Sequence, residues 1–250
     1  MVDLKANPFF LSDEQIGWVE QTIASMSLEE KIGQLFINFT VNRDPEYIKH
    51  VCSTYHVGGT RWQGGTLEEI YEQNRLFQQE SKVPLLIAAN CEAGGNGAVK
   101  EGTLVASQAA CGASATPETA YEMGRVGGEE AAAVGCNWTF GPVSDIFMNW
   151  RNTIVNTRSY GADPDKIIER CRAYRKGMAE SGLACCTKHF PGDGVEERDQ
   201  HLLIGSNELS CEEWDATFRK VYQSLIDEGI ESFMIGHIRL PEYSRKLRPE

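Results

Sequence analysis

The sequence has no apolar run long enough to cross a membrane, and Met1 to Pro8 lack the basic and apolar stretches of a secretory signal. It is also poor in positive charge, with 24 lysines and arginines against 36 aspartates and glutamates and a net charge of −12. Nonspecific binding to nucleic acid or to an anionic membrane needs a basic face, so the composition argues against both classes. We therefore expect a cytoplasmic protein without nucleic-acid or membrane partners.

A dinucleotide fingerprint is missing as well, because no Gly-x-Gly-x-x-Gly motif follows the first strand-like segment at Phe39. The 8 cysteines are spread through a chain of 250 residues, which is too large to need disulfides, so we predict that all are reduced. These cysteines are Cys52, Cys91, Cys111, Cys136, Cys171, Cys185, Cys186 and Cys211. The candidate metal ligands are His50, Cys52 and His56, but the sequence has no second cluster with the spacing needed to complete a metal site. The sequence therefore predicts no metal and no organic cofactor.

Strand-like and helical segments alternate along the chain. The apolar, β-rich segments are residues 34–39, 59–62, 84–91, 137–146, 183–189 and 232–238. The helical segments between them often begin with capping boxes, namely Ser27-x-x-Glu30, Thr66-x-x-Glu69 and Ser210-x-x-Glu213. Trp214, Phe218, Tyr222 and Leu225 are spaced to form one buried stripe on the last long helix. This alternation predicts an α/β fold with parallel strands, either a closed barrel or an open doubly wound sheet.

One loop combines basic, acidic and turn-forming residues in a pattern typical of catalysis. Lys188-His189-Phe190-Pro191-Gly192-Asp193-Gly194 ends a predicted strand, and Asp199-Gln200-His201 follows shortly after it. Pro191, Gly192 and Gly194 prevent the strand from continuing. The polar side chains are therefore expected at the carboxyl end of a strand, which is where β/α proteins bind ligands and perform chemistry.

This loop resembles the signature of the family 3 glycoside hydrolases, in their β-N-acetylglucosaminidase branch. Other segments resemble the family in the same order along the chain: residues 32–36, 57–59, 84–88, 141–145, 156–161 and 236–238. The resemblance implies a TIM-like (β/α)8 barrel. Because six strands are predicted where such a barrel has eight, we expect residues 1–250 to be a family 3 catalytic barrel that is incomplete at the C-terminus. The nucleophilic aspartate of the family is then expected beyond Glu250. The alternative is a complete fold of unusual, smaller type.

The resemblance also assigns the general acid/base of glycoside cleavage to His201, assisted by Asp199. A histidine titrates near neutrality, and a neighbouring carboxylate orients it and supports its charged form. Lys188, His189 and Arg158 are implied as sugar-binding residues, and the guanidinium fork of Arg158 could hold two hydroxyls. The competing interpretations are a solvated Asp199–His201 pair in a polar loop and a structural salt bridge for Lys188.

The end of the third predicted strand departs from the family pattern. The family places an aspartate where this sequence has Asn90, so a charge-assisted bond to distal sugar hydroxyls is not possible there, although an amide can still accept and donate. Glu92 is the residue we expect to make that bond instead. Asp145 and Asn149 are expected either to polarise the floor of the pocket or to cap the turn after the fourth strand.

The resemblance implies a retaining exo-β-N-acetylhexosaminidase that hydrolyses terminal N-acetylglucosamine from small glycans or cell-wall fragments. Its partner is thus a small carbohydrate substrate. One alternative is a phosphorylase, because a histidine acid/base places no negative charge beside an incoming phosphate. The other is a noncatalytic sugar-binding protein on the same fold. The sequence gives no oligomeric state.

Overall fold

The computed structural model describes residues 2–6, 9–62 and 64–244. Its contacts divide the chain into two compact units. Unit 1 is Met1–Gln63 with Glu72–Ile87, and unit 2 is Gly64–Tyr71 with Ala88–Glu250.

Helices and strands alternate through the described residues. The strands are β1 Ile37–Thr40, β2 Gly59–Trp62, β3 Leu86–Ala89, β4 Trp138–Thr139, β5 Ala184–Phe190, β6 Gly205–Ser206, β7 Ser232–Ile235 and β8 Ile238–Arg239. The helices are α1 Asp13–Ser25, α2 Leu28–Gly33, α3 Pro45–His50, α4 Leu67–Glu80, α5 Gln108–Ala113, α6 Glu118–Ala133, α7 Pro164–Glu180, α8 Cys211–Trp214 and α9 Lys220–Asp227. The π-helical turns Val51–Tyr55 and Asp215–Arg219 extend α3 and join α8 to α9.

Unit 1 is built on a parallel strand pair. β1 pairs with β2 from Ile37 opposite Gly59 onwards, and the Leu86 N–H at the start of β3 donates to the Gly58 carbonyl at 3.0 Å. The predicted capping box at Ser27 is present, because the Ser27 N–H donates to the Glu30 carboxylate at 2.8 Å and the Glu30 N–H donates back to the Ser27 hydroxyl. Its apolar core includes Ile48, Val51, Phe77 and Leu85, all 1% exposed or less.

Unit 2 holds the strands that carry the predicted catalytic loop. Ala88 pairs with Trp138 and Trp138 with Ala184, so the end of β3, β4 and β5 lie side by side in parallel. β7 pairs in parallel with the other edge of β5, where Cys186 lies opposite Ser232 and the register shifts between Lys188 and Phe190. Because the strands are parallel, their carboxyl ends lie at one edge of the sheet.

Close packing of α6 against α7 depends on glycine in both helices. A Cβ on Gly177 would lie 2.4 Å from the Tyr121 carbonyl oxygen, and one on Gly124 would lie 2.1 Å from the Tyr174 carbonyl oxygen. Neither distance is compatible with a side chain, so the two backbones approach each other only because both residues are glycine.

The last long helix buries the stripe that the sequence predicts. Trp214, Phe218, Tyr222 and Leu225 are 7%, 0%, 2% and 1% exposed. Their burial confirms the prediction. The capping box at Ser210, which starts this helix, is also present.

The fourth predicted strand is shorter than expected. Of residues 137–146, only Trp138–Thr139 form a strand. Pro142 has no backbone N–H to donate, and the Gly141–Pro142 peptide is cis. A single bridge between Val143 and Lys188 continues the contact with β5, after which the chain leaves the sheet as a loop. Apolar residues thus continue into a buried loop, which explains why the sequence pattern predicts a longer strand.

The fold class and the state of the cysteines agree with the sequence analysis. Among the described residues, β1 and β2 of unit 1 pair in parallel, as do the end of β3, β4, β5 and β7 in unit 2, and helices separate these strands, which confirms a TIM-like α/β fold with about six strands. All eight cysteines are free thiols, as predicted. Among the described residues, no helix combines the length and the apolar character that crossing a membrane requires.

Candidate active site

Three charged side chains from three different segments of unit 2 meet at the carboxyl ends of the strands. Lys188 Nζ, near the end of β5, lies 2.5 Å from Glu92 Oε1. Arg158, in the turn Asn156–Arg158, donates from Nε to Glu92 Oε2 at 2.8 Å and from Nη2 to Oε1 at 2.9 Å. Glu92 itself lies in the bend after β3. We call Glu92, Arg158 and Lys188 the Glu92 cluster; it contains one carboxylate and two cations.

The Glu92 cluster is largely withdrawn from water. The side chains of Lys188, Glu92 and Arg158 are 3%, 17% and 32% exposed. Burial alone would raise the pKa of Glu92, but the hydrogen bond from Arg158 and the charge of Lys188 outweigh it and lower the pKa to about 2. Burial lowers the pKa of Lys188, and the charge of Glu92 opposes that effect. The carboxylate is therefore ionised at any pH near neutrality.

This geometry bears on the expected role of two residues. The Nε and Nη2 edge of Arg158 is occupied by Glu92, so the predicted contact of its fork with two sugar hydroxyls stays a prediction for its other N–H groups. Glu92 likewise has both oxygens in contact with cations, and the bond to distal sugar hydroxyls that the sequence predicts for it stays a prediction. Lys188 uses one of its three possible donors on Glu92.

His189 forms a second, separate pair with Asp145. Its Nδ1 lies 2.6 Å from Asp145 Oδ2, and its backbone N–H donates to Asp145 Oδ1 at 3.1 Å. Asp145 is fully buried, with 0% exposure. Because the carboxylate oxygen accepts, Nδ1 carries the donated proton, and in a neutral ring Nε2 is the nitrogen that can accept a hydrogen bond. Asp145 thus accepts from the end of β5 rather than capping the turn after the fourth strand, whereas Asn149 caps its turn by accepting from the Arg151 N–H at 2.9 Å.

Asp193 connects the Asp145 pair to the catalytic loop. Its N–H donates to Asp145 Oδ1 at 2.8 Å, and its own carboxylate accepts from Asn152 Nδ2 at 2.8 Å and from Gln200 Nε2 at 2.6 Å. Burial and the nearby charge of Asp145 raise the pKa of Asp193, and the hydrogen bonds it accepts oppose that rise. Asp193 thus acts as an anchor for the backbone around it.

Asp199 and His201 form an exposed pair in the turn that follows. His201 Nδ1 lies 2.7 Å from Asp199 Oδ1, and the same oxygen accepts from the His201 N–H at 2.8 Å. The His201 side chain is 64% exposed, and that of Asp199 is 28% exposed. The backbone N–H of His201 is the largest cause of a lowered pKa at Asp199, and the charge of Arg158 adds to it. Because the backbone turns here, both side chains reach the same side, and the imidazole presents Nε2 to solvent.

Asn90 lies just beyond β3, and its side-chain oxygen has no hydrogen-bond donor among the described residues. This oxygen is buried. Leaving such an acceptor without a donor costs about 1–3 kcal/mol.

Sequence reasoning missed three residues that organise the site: Asn152, Asp193 and Gln200. Asp193 and Gln200 lie within the predicted catalytic loop, but their types gave no sign that they are buried and bonded to each other. Asn152 had no signal in the sequence. No group of three or more His, Cys, Asp or Glu side chains suited to a metal ion occurs within the part of the chain that the structure describes.

Comparison with known proteins identifies the family. The profile described as Glycosyl hydrolase family 3 N terminal domain matches residues 27–248. A beta-N-acetylglucosaminidase/beta-glucosidase from Cellulomonas fimi is 45% identical over 249 residues, which are 100% of this chain and 44% of that protein. A beta-hexosaminidase from Neisseria gonorrhoeae is 33% identical over 136 residues, which are 54% of this chain and 37% of that protein. The chain thus spans less than half the length of these relatives.

Solved structures agree with this assignment. A beta-glucoside phosphorylase bound to 2FGlc has a TM-score of 0.93 and 41% identity, over 97% of this chain and 44% of that chain. A family 3 beta-N-acetylglucosaminidase from Paenibacillus sp. has a TM-score of 0.82 and 26% identity, over 90% of this chain and 44% of that chain. The resemblance first drawn from the loop at Lys188 is confirmed, and since the family profile covers residues 27–248, the chain belongs to glycosyl hydrolase family 3.

Proposed function

We propose that this chain supplies the sugar-binding and acid/base groups of a retaining exo-β-N-acetylhexosaminidase that releases terminal N-acetylglucosamine from small glycans or cell-wall fragments. The observation that carries the proposal is the exposed Asp199–His201 pair, in which Nδ1 is held at 2.7 Å and Nε2 faces solvent. An acid/base must present its proton to an incoming substrate, and the exposure of this imidazole supports that role.

The acid/base role assigns a separate task to each member of the pair. His201 donates a proton from Nε2 to the glycosidic oxygen as the bond breaks, and later removes a proton from water. Asp199 keeps its negative charge because its pKa is lowered, mainly by the backbone N–H of His201. The carboxylate then orients the ring through Nδ1 and stabilises the imidazolium that forms in the second step.

Sugar binding is proposed for the groups at the ends of β3 and β5. Lys188 has donors that Glu92 does not use, and the half-buried Asn90 lies next to them at the end of β3, where its amide is proposed to bind a sugar hydroxyl. Nε2 of His189 can accept another. Arg158 contributes by fixing Glu92 and by its charge, which also acts on Asp199.

Asp145 and Asp193 are poor candidates for the nucleophile. A nucleophilic carboxylate must reach the anomeric carbon on the face opposite the acid. Asp145 is 0% exposed and Asp193 is 5% exposed, and both carboxylates accept hydrogen bonds from neighbours within the fold. We therefore assign the nucleophile to neither of them.

Turnover by the full-length protein tests the proposal. We expect release of the aryl group from an aryl β-N-acetylglucosaminide, faster than from the matching β-glucoside, with NMR detection of a β-configured first product. The matched variant is His201→Ala, which removes the acid/base while the sugar-binding groups remain. Sugar binding without turnover by the wild-type protein would contradict an enzymatic function and favour a noncatalytic sugar-binding protein.

A second candidate is a phosphorylase acting on a β-glucoside or β-N-acetylglucosaminide. It is favoured by the similarity, at 41% identity, to a protein named beta-glucoside phosphorylase. An imidazole acid/base is also neutral when phosphate attacks, whereas a carboxylate would repel it. The two candidates differ in their products: in phosphate buffer a phosphorylase yields sugar 1-phosphate and depends on phosphate concentration, and a hydrolase yields free sugar at a rate independent of phosphate.

A further inference from the structure

The loop that carries Asp199 and His201 is fixed firmly at both of its ends. At its start, Asp193 is bonded to Asn152 and to the buried Asp145. At its end, β6 pairs with β8, with Gly205 opposite Ile238, and the Gly205 N–H donates to the His237 carbonyl at 2.9 Å. The acid/base pair lies between these two anchors, so its position depends on what holds the middle of the loop.

Gln200 holds the middle of the loop through both ends of its amide. Nε2 donates to Asp193 Oδ2 at 2.6 Å, and Oε1 accepts from the His237 N–H at 2.9 Å. Gln200 is 4% exposed, whereas the side chains of its two neighbours in sequence, Asp199 and His201, are 28% and 64% exposed. Because Gln200 points into the protein, the residues on either side of it point out.

The turn after β7 leaves space for this amide. A Cβ on Gly236 would lie 2.4 Å from Gln200 Oε1. The glycine therefore permits the approach that lets the neighbouring His237 N–H donate to Gln200.

The amide also connects the acid/base loop to the sugar-binding side of the site. Asp193, which accepts from Gln200, donates its N–H to Asp145 at 2.8 Å, and Asp145 lies 2.6 Å from His189 Nδ1. A continuous path of hydrogen bonds thus runs from His189 to the turn after β7. The same path fixes the loop relative to the end of β5.

We propose that Gln200 is a positioning residue that sets the reach of His201 toward the leaving-group oxygen. This inference rests on the proposed function, because it presumes that His201 is the acid/base. Misplacement of a general acid slows only those reactions whose transition state needs its proton. Removal of the two Gln200 hydrogen bonds therefore weakens protonation of the leaving group and spares sugar binding.

The test uses Gln200→Met, which keeps the length of the side chain and removes both hydrogen bonds. With substrates that have poor leaving groups we expect kcat to fall by on the order of 10²-fold, the cost of a misplacement of about 1 Å. With activated aryl leaving groups we expect a fall of less than roughly tenfold, because little proton transfer is required. KM should change little in both cases.

Gln200→Glu provides a rescue that depends on pH. The new carboxylate still accepts from the His237 N–H but faces Asp193 Oδ2, so two like charges meet near neutrality. Asp145 and Arg158 are the charged groups that interact with Asp193, and the buried Tyr222 hydroxyl lies in the same field. At lower pH one proton shared by the two carboxyls restores the bond. The activity of Gln200→Glu relative to wild type should therefore rise as the pH falls from about 8 to about 5.

Gln78→Met is the matched control, since Gln78 also uses both ends of its amide, on the Leu85 backbone, but lies outside the site. Gln78→Met should have the same kcat as wild type on every substrate of the leaving-group series. If His201→Ala shows no dependence on the leaving group, the proposed function fails. If His201→Ala shows that dependence while Gln200→Met is as active as wild type, or loses activity equally on all substrates, the positioning role is wrong. If Gln200→Met does not fold, the pH dependence of Gln200→Glu decides, and a ratio to wild type that does not vary with pH overturns the inference.

Discussion

Replacement of Glu92 by glutamine removes the carboxylate that Lys188 and Arg158 share. The substitution preserves the shape of the side chain, so its effect measures charge and hydrogen bonding rather than packing. Lys188 would then be left 3% exposed beside an amide, which has one acceptor oxygen for two cationic partners.

The loss of stability expected for Glu92→Gln follows from the pKa of Glu92. Its pKa is lowered from the ordinary value of 4.5 to about 2, against burial, by Arg158 and Lys188. At about 1.4 kcal/mol for each factor of ten in proton affinity, the ionised form stabilises the folded state by about 3 kcal/mol. Removal of one partner from a buried ion pair costs about 3–5 kcal/mol, which is the same range. Burial lowers the pKa of Lys188, so holding that ammonium in the fold offsets part of this gain.

Urea unfolding of the purified protein at several pH values measures this effect. At pH 7 we expect Glu92→Gln to lower the free energy of unfolding by about 3 kcal/mol. Because the folded pKa is depressed, the contribution of Glu92 is complete above the unfolded value near 4.5 and is lost as the pH falls through about 2. The difference between wild type and variant should thus be constant from pH 7 to about pH 5 and should shrink below that range.

Glu72→Gln is the control for a surface ion pair, because Glu72 contacts Arg75 at 2.7 Å but is 60% exposed. Such pairs contribute about 0–1 kcal/mol. A destabilisation by Glu92→Gln no larger than that of Glu72→Gln would refute the reasoning. So would a large difference that persists unchanged at pH 2 to 3, since it would then arise from something other than the charge of Glu92.

Three further predictions concern catalysis, binding and packing. In steady-state assays over a leaving-group series, His201→Ala should lower kcat by about 10²–10⁴-fold on substrates with poor leaving groups and much less on activated aryl glycosides. Asp199→Asn should lower kcat in the same direction but more mildly. Asn90→Ala should raise KM about tenfold without lowering the melting temperature, because it removes the amide proposed to bind the sugar, and the Oδ1 of that amide accepts no hydrogen bond from the described residues. Gly177→Ala should lower the free energy of unfolding in urea by about 1–3 kcal/mol, because its Cβ would lie 2.4 Å from a backbone carbonyl oxygen of the neighbouring helix. Gly17→Ala is the control: Gly17 lies in a helix with nothing near its Cβ position, so the substitution should raise the free energy of unfolding by about 0.5–1 kcal/mol.

The sequence predicts those parts of the fold that depend on local chemistry. The capping box at Ser27 and the buried stripe from Trp214 to Leu225 depend on residues within one or a few helical turns, and the structure confirms both. The strand predicted at 137–146 is wrong beyond Thr139 because burial and strand pairing are different properties. Residues after Thr139 are buried among loops rather than in a ladder, and a run of apolar residues cannot distinguish these environments.

The candidate site was predictable in its residue types but not in its partners. The sequence brings Lys188, Arg158 and Glu92 to the same end of the sheet, because each follows or ends a parallel strand. It does not reveal that Glu92 binds both cations, since this depends on side-chain directions set by distant segments. Gln200 illustrates the same limit: its neighbours have catalytic character, whereas its own role depends on Asp193 and on the turn after β7.

The three aspartates Asp145, Asp193 and Asp199 fall into two classes that suit different tasks. Asp145 and Asp193 are buried, and their oxygens accept hydrogen bonds from several neighbours, so they hold backbone and side chains in place. Asp199 lies at the surface, where the backbone N–H of His201 lowers its pKa and keeps it ionised. A proton shuttle must exchange protons with substrate and solvent, which a buried, fully bonded carboxylate cannot do without breaking its bonds. Because Gln200 joins the two classes, the rigid buried network can fix the position of the exposed pair without hindering its proton exchange.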